Sequence, residues 1–202
     1  MLKLYPDRNI ARELVQGFNF GLSIHYTGIR SSIISKKHVI CGFPRRPVTP
    51  KNISRSSVGS YCWPFQKYSK NISNLCCSPI GVVPKKQGGW GMICNLSAPQ
   101  GQSVNDFINP EQCSVQYTSF DDTTAMISKL GRGALLGKKD IGNVFRLLPI
   151  CPEDFPLLGF HFKHNFYIDK CLPFGCSIAC ATFENFSTSC LQARQISIPA
   201  ST

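Results

Sequence analysis

Three groups of residues have the types and spacing to do chemistry. The first is a carboxylate, Asp140, in the run Lys138-Lys139-Asp140-Ile141-Gly142-Asn143-Val144-Phe145. An Asp that ends a strand and faces a basic surface can hold Mg²⁺, and the metal then neutralises a triphosphate that the carboxylate alone would repel. A solvated Asp paired with Lys139 is the simpler alternative. The second group is Cys and His: Cys151, His161, His164 and Cys171, and further along Cys171, Cys176 and Cys180. Neither set has the short paired spacing of a structural zinc knuckle, and the cysteines near Gly175 read as small buried filling. The third is the pair Lys85-Lys86, in a stretch with the composition of a turn.

Other routes are absent from the sequence. There is no Gly-x-Ser-x-Gly elbow, no Gly-x-x-x-x-Gly-Lys-Ser/Thr loop and no Gly-x-Gly-x-x-Gly turn, so serine hydrolysis and nucleotide binding by those loops are not expected.

The elements that must position these groups are read from periodicity. Residues 9–26 offer an amphipathic helix through Ile10, Leu14, Val15 and Phe18, whereas 28–74 keeps neither a period of 2 nor one of 3.6 and reads as a poorly structured basic arm. Ile80 to Val83 and Trp90 to Leu96 form a hairpin whose turn presents Lys85 and Lys86. Thr118 or Ser119 caps a helix with Asp121 and Asp122 in its first turn, apolar positions Phe120, Ile127 and Leu130, and a stop at Gly131. A strand is expected from Ala134 to Lys139, ending at Asp140. Extended segments come next at Arg146 to Ile150, Leu157 to Phe162 and Phe166 to Ile168, the last two forming a hairpin. A final helix spans Ile178 to Leu191, with Ala179, Phe183, Phe186 and Cys190 on its packed face. Hairpins with helices on one side imply an α+β domain.

Composition bounds the setting. The 202 residues are 43% hydrophobic and 16% charged, with no internal repeat, which suits a folded chain and not a disordered one or a solenoid. The net charge of +11 is uneven: residues 1–91 carry 14 basic and 2 acidic residues, residues 92–202 carry 8 and 9. A field concentrated in the first half points to a polyanion, nucleic acid before membrane; solubilising charge is the plainer account. Eleven cysteines without a secretory leader read as reduced thiols of an intracellular protein, with nothing to choose between cytoplasm and nucleus. No apolar run reaches the ~18 residues of a membrane span.

In order, several segments resemble the reverse transcriptase of DIRS-type retrotransposons, which encode a tyrosine recombinase. Ser78-Pro79-Ile80-Gly81-Val82-Val83-Pro84-Lys85-Lys86 and Trp90-Gly91-Met92-Ile93-Cys94-Asn95-Leu96-Ser97 are similar to that family's fingers hairpin. Ser103-Val104-Asn105-Asp106, and the run from Cys113 to Phe120, are similar to its approach to the palm. Leu130 to Leu136 through Asp140, and Phe145-Arg146-Leu147-Leu148-Pro149-Ile150, resemble motif A; Cys171-Leu172-Pro173-Phe174-Gly175-Cys176-Ser177 resembles motif B.

The resemblance covers roughly Cys77 to Cys190 and implies a partial right-hand polymerase of fingers and palm. It implies Asp140 as the first Mg²⁺-binding carboxylate with the Ile141 carbonyl beside it, and Phe145 as the gate that rejects a ribose 2′-hydroxyl. It further implies Lys85 and Lys86 on the incoming triphosphate, Phe174 and Gly175 lining the nucleotide pocket, and RNA/DNA template–primer and dNTP as partners. On residues alone Phe145 also fits a core position, the two lysines a solvated turn, and Gly175 a tight turn.

Two departures matter. Gly91 stands where the family has Arg, and the sequence contains no Tyr-x-Asp-Asp. The expectation is therefore a fingers/palm fragment, truncated at its C-terminal end and inactive alone, or a non-catalytic nucleic-acid-binding remnant or decayed gene product. Its parts would be a basic arm at 1–76, a reverse-transcriptase-like portion at 77–191 and a tail at 192–202.

Overall fold

The computed structural model describes residues 7–35, 65–68, 73–84, 90–137, 140–162 and 165–195. It opens with helix α1 (Arg8–Phe20), whose Asp7 cap accepts the amides of Asn9 and Ile10 at 2.8 and 3.1 Å. Ala11, Leu14 and Gly17, spaced one turn apart, form its buried face. The helix ends six residues before the sequence-based limit because Gly21 takes a φ of 97°, and a Cβ there would collide with the Cys151 backbone. This close approach lets Leu22 bridge in parallel to Ile150, with Leu22 N donating to Pro149 O and Cys151 N to Leu22 O.

Beyond this helix the chain continues into the core, and of the arm expected over 28–74 the structure describes 28–35, 65–68 and 73–74. Leu22 and Ile24 enter the main core, and Tyr26 bridges Ile108. Strand β1 (Ile33–Ile34) then pairs in parallel with β3 (Cys76–Cys77), and β2 (Phe65–Tyr68) pairs antiparallel with β7 (Asn165–Asp169). The contribution comes through backbone pairing and single buried residues, which leave no period in the sequence. Residues 36–64 lie outside the described residues.

The five-stranded sheet has the order β1-β3-β6-β7-β2, with β6 at Gly159–Phe162. It mixes parallel β1-β3-β6 pairs with the expected antiparallel β6-β7 hairpin. A second, two-stranded sheet is the expected hairpin of β4 (Ile80–Pro84) and β5 (Trp90–Cys94), in register from Ile80 opposite Cys94 to Pro84 opposite Trp90. The fold is thus mixed α and β.

Helix α2 (Phe120–Leu130) has the expected cap and stop: Ser119 and Asp122 form a reciprocal capping box, and Gly131 ends it. None of its residues is buried, and Phe120, Met126 and Leu130 are exposed. Over 134–137, the described part of the strand expected from Ala134 to Lys139, no strand is formed. Residues 131–137 are irregular, with Leu135 97% and Leu136 70% exposed, because no other described segment offers their backbone a partner. Lys138 and Lys139 lie outside the described residues.

Two further expectations are corrected. Of the extended segment expected at Arg146 to Ile150, Arg146 and Leu147 lie in the 3-10 turn Val144–Leu147 while Pro149 and Ile150 form bridges, and Leu157 and Leu158 belong to the 3-10 stretch Pro152–Leu158 that precedes β6. Helix α3 (Ala179–Gln195) packs through Ala179, Phe183 and Phe186, but Cys190 is exposed and Ser189 takes the buried place, its hydroxyl donating to Asn185 O at 2.7 Å. The nine described cysteines are free. No helix among the described residues is long and apolar enough to cross a membrane.

A buried carboxylate ties the N-terminal segment to this core. Asp154 accepts Ile24 N at 2.9 Å, Arg30 Nη2 at 2.6 Å, Ser23 Oγ at 3.3 Å and Cys151 Sγ at 3.2 Å. Burial opposes its charge, but the Arg30 bond, the Ile24 amide and the Cys151 thiol hold its pKa below the ordinary carboxylate value. A depressed folded pKa means that this stabilisation is present above the unfolded value, about 3.9, and is lost as pH falls through the lower folded one. Urea midpoints measured from pH 6 to pH 2.5 should fall for the native chain over that window. Asp154→Asn should start lower at pH 6 and lose less on acidification.

Candidate functional site

The site grows from a turn and a return strand. Asn143, at a φ of 54°, reverses the chain into the 3-10 turn Val144–Leu147, closed by Arg146 N to Asn143 O at 2.9 Å and Leu148 N to Phe145 O at 3.2 Å. The next residues lace against 170–172: Ile150 N donates to Lys170 O and Leu172 N to Leu148 O, both at 2.9 Å. This pairing carries Pro173, Phe174 and Gly175 back to Phe145.

Phe145 and Phe174 meet edge to face, with centroids 4.9 Å apart and planes at 68°, and Phe183 of α3 closes on Phe145 at 6.1 Å. Phe145 also packs on the main core, while Phe174 is 45% exposed. The pair therefore makes a wall with one buried and one open side. Gly175, at a φ of 103°, lies on the end of β5, where a Cβ would collide with Cys94 O. Only glycine fits there without displacement.

Beneath the wall runs a buried ion pair. Arg146 Nη1 meets both oxygens of Asp169, at 2.6 and 2.5 Å, and Cys171 N donates to the same carboxylate at 3.2 Å. The side chains are 10% and 3% exposed. Burial pushes the Asp169 carboxyl up, against the opposing pull of the guanidinium. Burial likewise raises the Cys94 thiol next to it, so this cysteine is inert filling and no nucleophile.

Of the sequence-derived residues, the structure brings Phe145, Phe174 and Gly175 together. Asp140 is exposed and Ile141 half-buried on the approach to the 3-10 turn, and Asp140 makes no salt bridge to a described residue. Lys85 and Lys86 lie outside the described residues, as does His164. Among the described residues no three of His, Cys, Asp and Glu converge to hold a metal ion. Among the described residues the Mg²⁺ implied by the resemblance would find one carboxylate at Asp140, fewer donors than the ion takes. Sequence reasoning placed Phe183 on a packed face but missed the Arg146–Asp169 pair and Asn105, whose side chain bonds the backbone around Gly175. Their partners are distant in sequence, so no local pattern marks them.

No protein-family model matches the chain, and no curated protein matches it at a significant level. Among solved structures it is similar to the native prototype foamy virus protease-reverse transcriptase, at 19% identity and a TM-score of 0.46, over 83% of this chain and 21% of that one. The foamy viral protease-reverse transcriptase dRH in complex with double-stranded DNA matches at 16% identity and a TM-score of 0.48, over 93% of this chain and 33% of that one. The foamy viral enzyme in complex with an RNA/DNA hybrid matches at 16% and 0.46, over 94% and 25%. The chain thus spans no more than about a third of the length of these three.

Two substitutions check this geometry. Arg146→Met strands a buried carboxyl and should cost about 3–5 kcal/mol in urea unfolding, while the double change Arg146→Met/Asp169→Leu should recover most of it. Gly175→Ala should cost about 1–3 kcal/mol, the usual range for a strained backbone position, and should displace Phe174 from Phe145.

Proposed function

We propose that this chain is a reverse-transcriptase-like portion of a retroelement polymerase, of the DIRS type, that binds template–primer and nucleotide but does not polymerise by itself. The observation that carries the reading is the contact between Phe145 and Phe174: segments that resemble motif A and motif B meet at one aromatic wall, with Gly175 seated on the end of the fingers-like hairpin. In this reading Phe145 fills the space a ribose 2′-hydroxyl would need, and the open edge of Phe174 with the Gly175 backbone receives the base and sugar. Lys85 and Lys86 supply charge for the triphosphate, and the basic first half contacts the nucleic-acid backbone.

Asp140 and the Ile141 carbonyl are the residues that would face Mg²⁺, which, when bound, neutralises the phosphates. In-line transfer with two metals needs several converging carboxylates, and Asp140 is one. Binding without turnover is the consequence.

The test pairs primer extension on an RNA template, with Mg²⁺ or Mn²⁺ and dNTPs, with fluorescence anisotropy on the same template–primer. The expected result is no incorporation, and binding whose log affinity falls linearly with log salt, as counterion release requires. Incorporation that Asp140→Asn abolishes would overturn the non-catalytic part of the reading. Absence of binding at 50 mM salt by a folded chain would overturn the whole of it.

A further inference from the structure

We infer that Asn105 is the positioning residue of the aromatic wall: its amide clamps the backbone of the Phe174–Gly175 turn and so sets where Phe174 stands on Phe145. The inference deepens the nucleotide-pocket reading above and rests on it for its functional consequence.

The clamp uses both ends of the side-chain amide. Asn105 Nδ2 donates to Gly175 O at 2.8 Å and to Ser97 Oγ at 2.9 Å, and Asn105 Oδ1 accepts Ser177 N at 3.0 Å. One planar group thus satisfies a carbonyl and an amide two residues apart, as a neighbouring strand would. The turn offers itself few other bonds, chiefly Cys176 N to Pro173 O at 3.3 Å. Because Gly175 is the residue whose φ is 103°, this is the place where the chain has most freedom to swing and where an outside constraint matters most.

The clamp is itself held. Asn105 opens the 3-10 turn Asn105–Phe107, locked by Ser103 and Asp106: Ser103 N and Oγ donate to Asp106 Oδ2 at 2.9 and 2.7 Å. These two bonds from Ser103 depress the Asp106 pKa, so the lock stays charged at neutral pH. Val104 on one side is buried, Ile108 on the other is buried and bridges Tyr26, and Asn105 N donates to Leu96 O at 3.0 Å. Asn105 is therefore fastened to β5's outgoing segment and to the N-terminal segment at once, and transmits that rigidity to Gly175. Phe174 is only half-buried and its ring has no polar atom to anchor it; the backbone clamp is what fixes it.

The test places 4-fluorophenylalanine at position 174 and follows its ¹⁹F resonance, together with hydrogen exchange of the Ser177 amide, in the otherwise native chain, in Asn105→Ala and in Ser97→Ala. Each is then titrated with dATP in Mg²⁺ buffer, with template–primer affinity measured separately. Asn105→Ala should speed Ser177 exchange at least tenfold, broaden or split the ¹⁹F line and weaken dATP about tenfold, with template–primer affinity within twofold. Ser97→Ala, which keeps both backbone bonds, should leave all four readouts close to native. An unchanged ¹⁹F line and unchanged Ser177 exchange in a folded Asn105→Ala would overturn the inference, as would an equal loss in Ser97→Ala. If the native chain binds no dATP while Asn105→Ala still loosens position 174, the clamp stands and the nucleotide reading falls. A merely structural role would lower the unfolding midpoint without moving the ¹⁹F line under native conditions.

Discussion

The buried pair of Arg146 and Asp169 is the constraint on which the candidate site depends. Desolvating both ions is costly, and the cost is met only because the guanidinium reaches both carboxylate oxygens and Cys171 N takes a further bond. Geometry of that quality fixes the distance between the 3-10 turn and the end of β7, 23 residues further along. With those two points fixed, Leu148 and Ile150 are brought into line to lace against 170–172, and Phe145 and Phe174 are delivered to the same place. An apolar pair of equal volume would hold the core together as well. It would lack the directional bonds that join Arg146 to Asp169 and Asp169 to Cys171 N.

The same logic operates at the other end of the molecule with Asp154. Its partners Ile24 and Arg30 come from the N-terminal segment, 130 and 124 residues away. Two buried carboxylates thus do what the hydrophobic core alone does poorly, which is to choose one arrangement among many of similar apolar burial. The core around Leu148, Leu158 and Leu172 supplies the bulk of the driving force; the two aspartates supply register.

This division explains why some features were legible in the sequence and others were not. Local features were readable: the hairpin of β4 and β5 from its alternation, and α2 from Ser119, Asp122 and Gly131, because cap and turn chemistry depend on neighbours within four residues. The apolar pair Leu135-Leu136 was misleading, since a strand is defined by a partner and the run itself cannot say whether one exists. The start of the segment expected at Arg146 to Ile150 was misread for a related reason: a short run of this kind suits a 3-10 turn as well as a strand. Residues 22–35 hid their role because they contribute two buried side chains, Leu22 and Ile24, and backbone bridges, too few to show a period. Phe145, Phe174 and Gly175 were singled out through motif order, and the structure places them together. Arg146, Asp169 and Asn105 were not, because their meaning lies wholly in contacts across the fold.

The arrangement also separates two physical tasks. The aromatic wall is apolar and the neighbouring Arg146 is paired with Asp169, so in the proposed reading it would discriminate by shape. The net positive charge is carried by the first half of the sequence, where it acts at a distance and without regard to shape. A polyanion drawn in by the field would be held in many orientations, and selection would fall to whatever fits against Phe174 and the Gly175 backbone. On that reading the stringency of selection would be limited by how far Phe174 can swing, and the swing would be governed by the Asn105 bonds to Gly175 O and Ser177 N. Specificity at such a site is therefore a property of the supporting hydrogen bonds as much as of the ring that would make the contact.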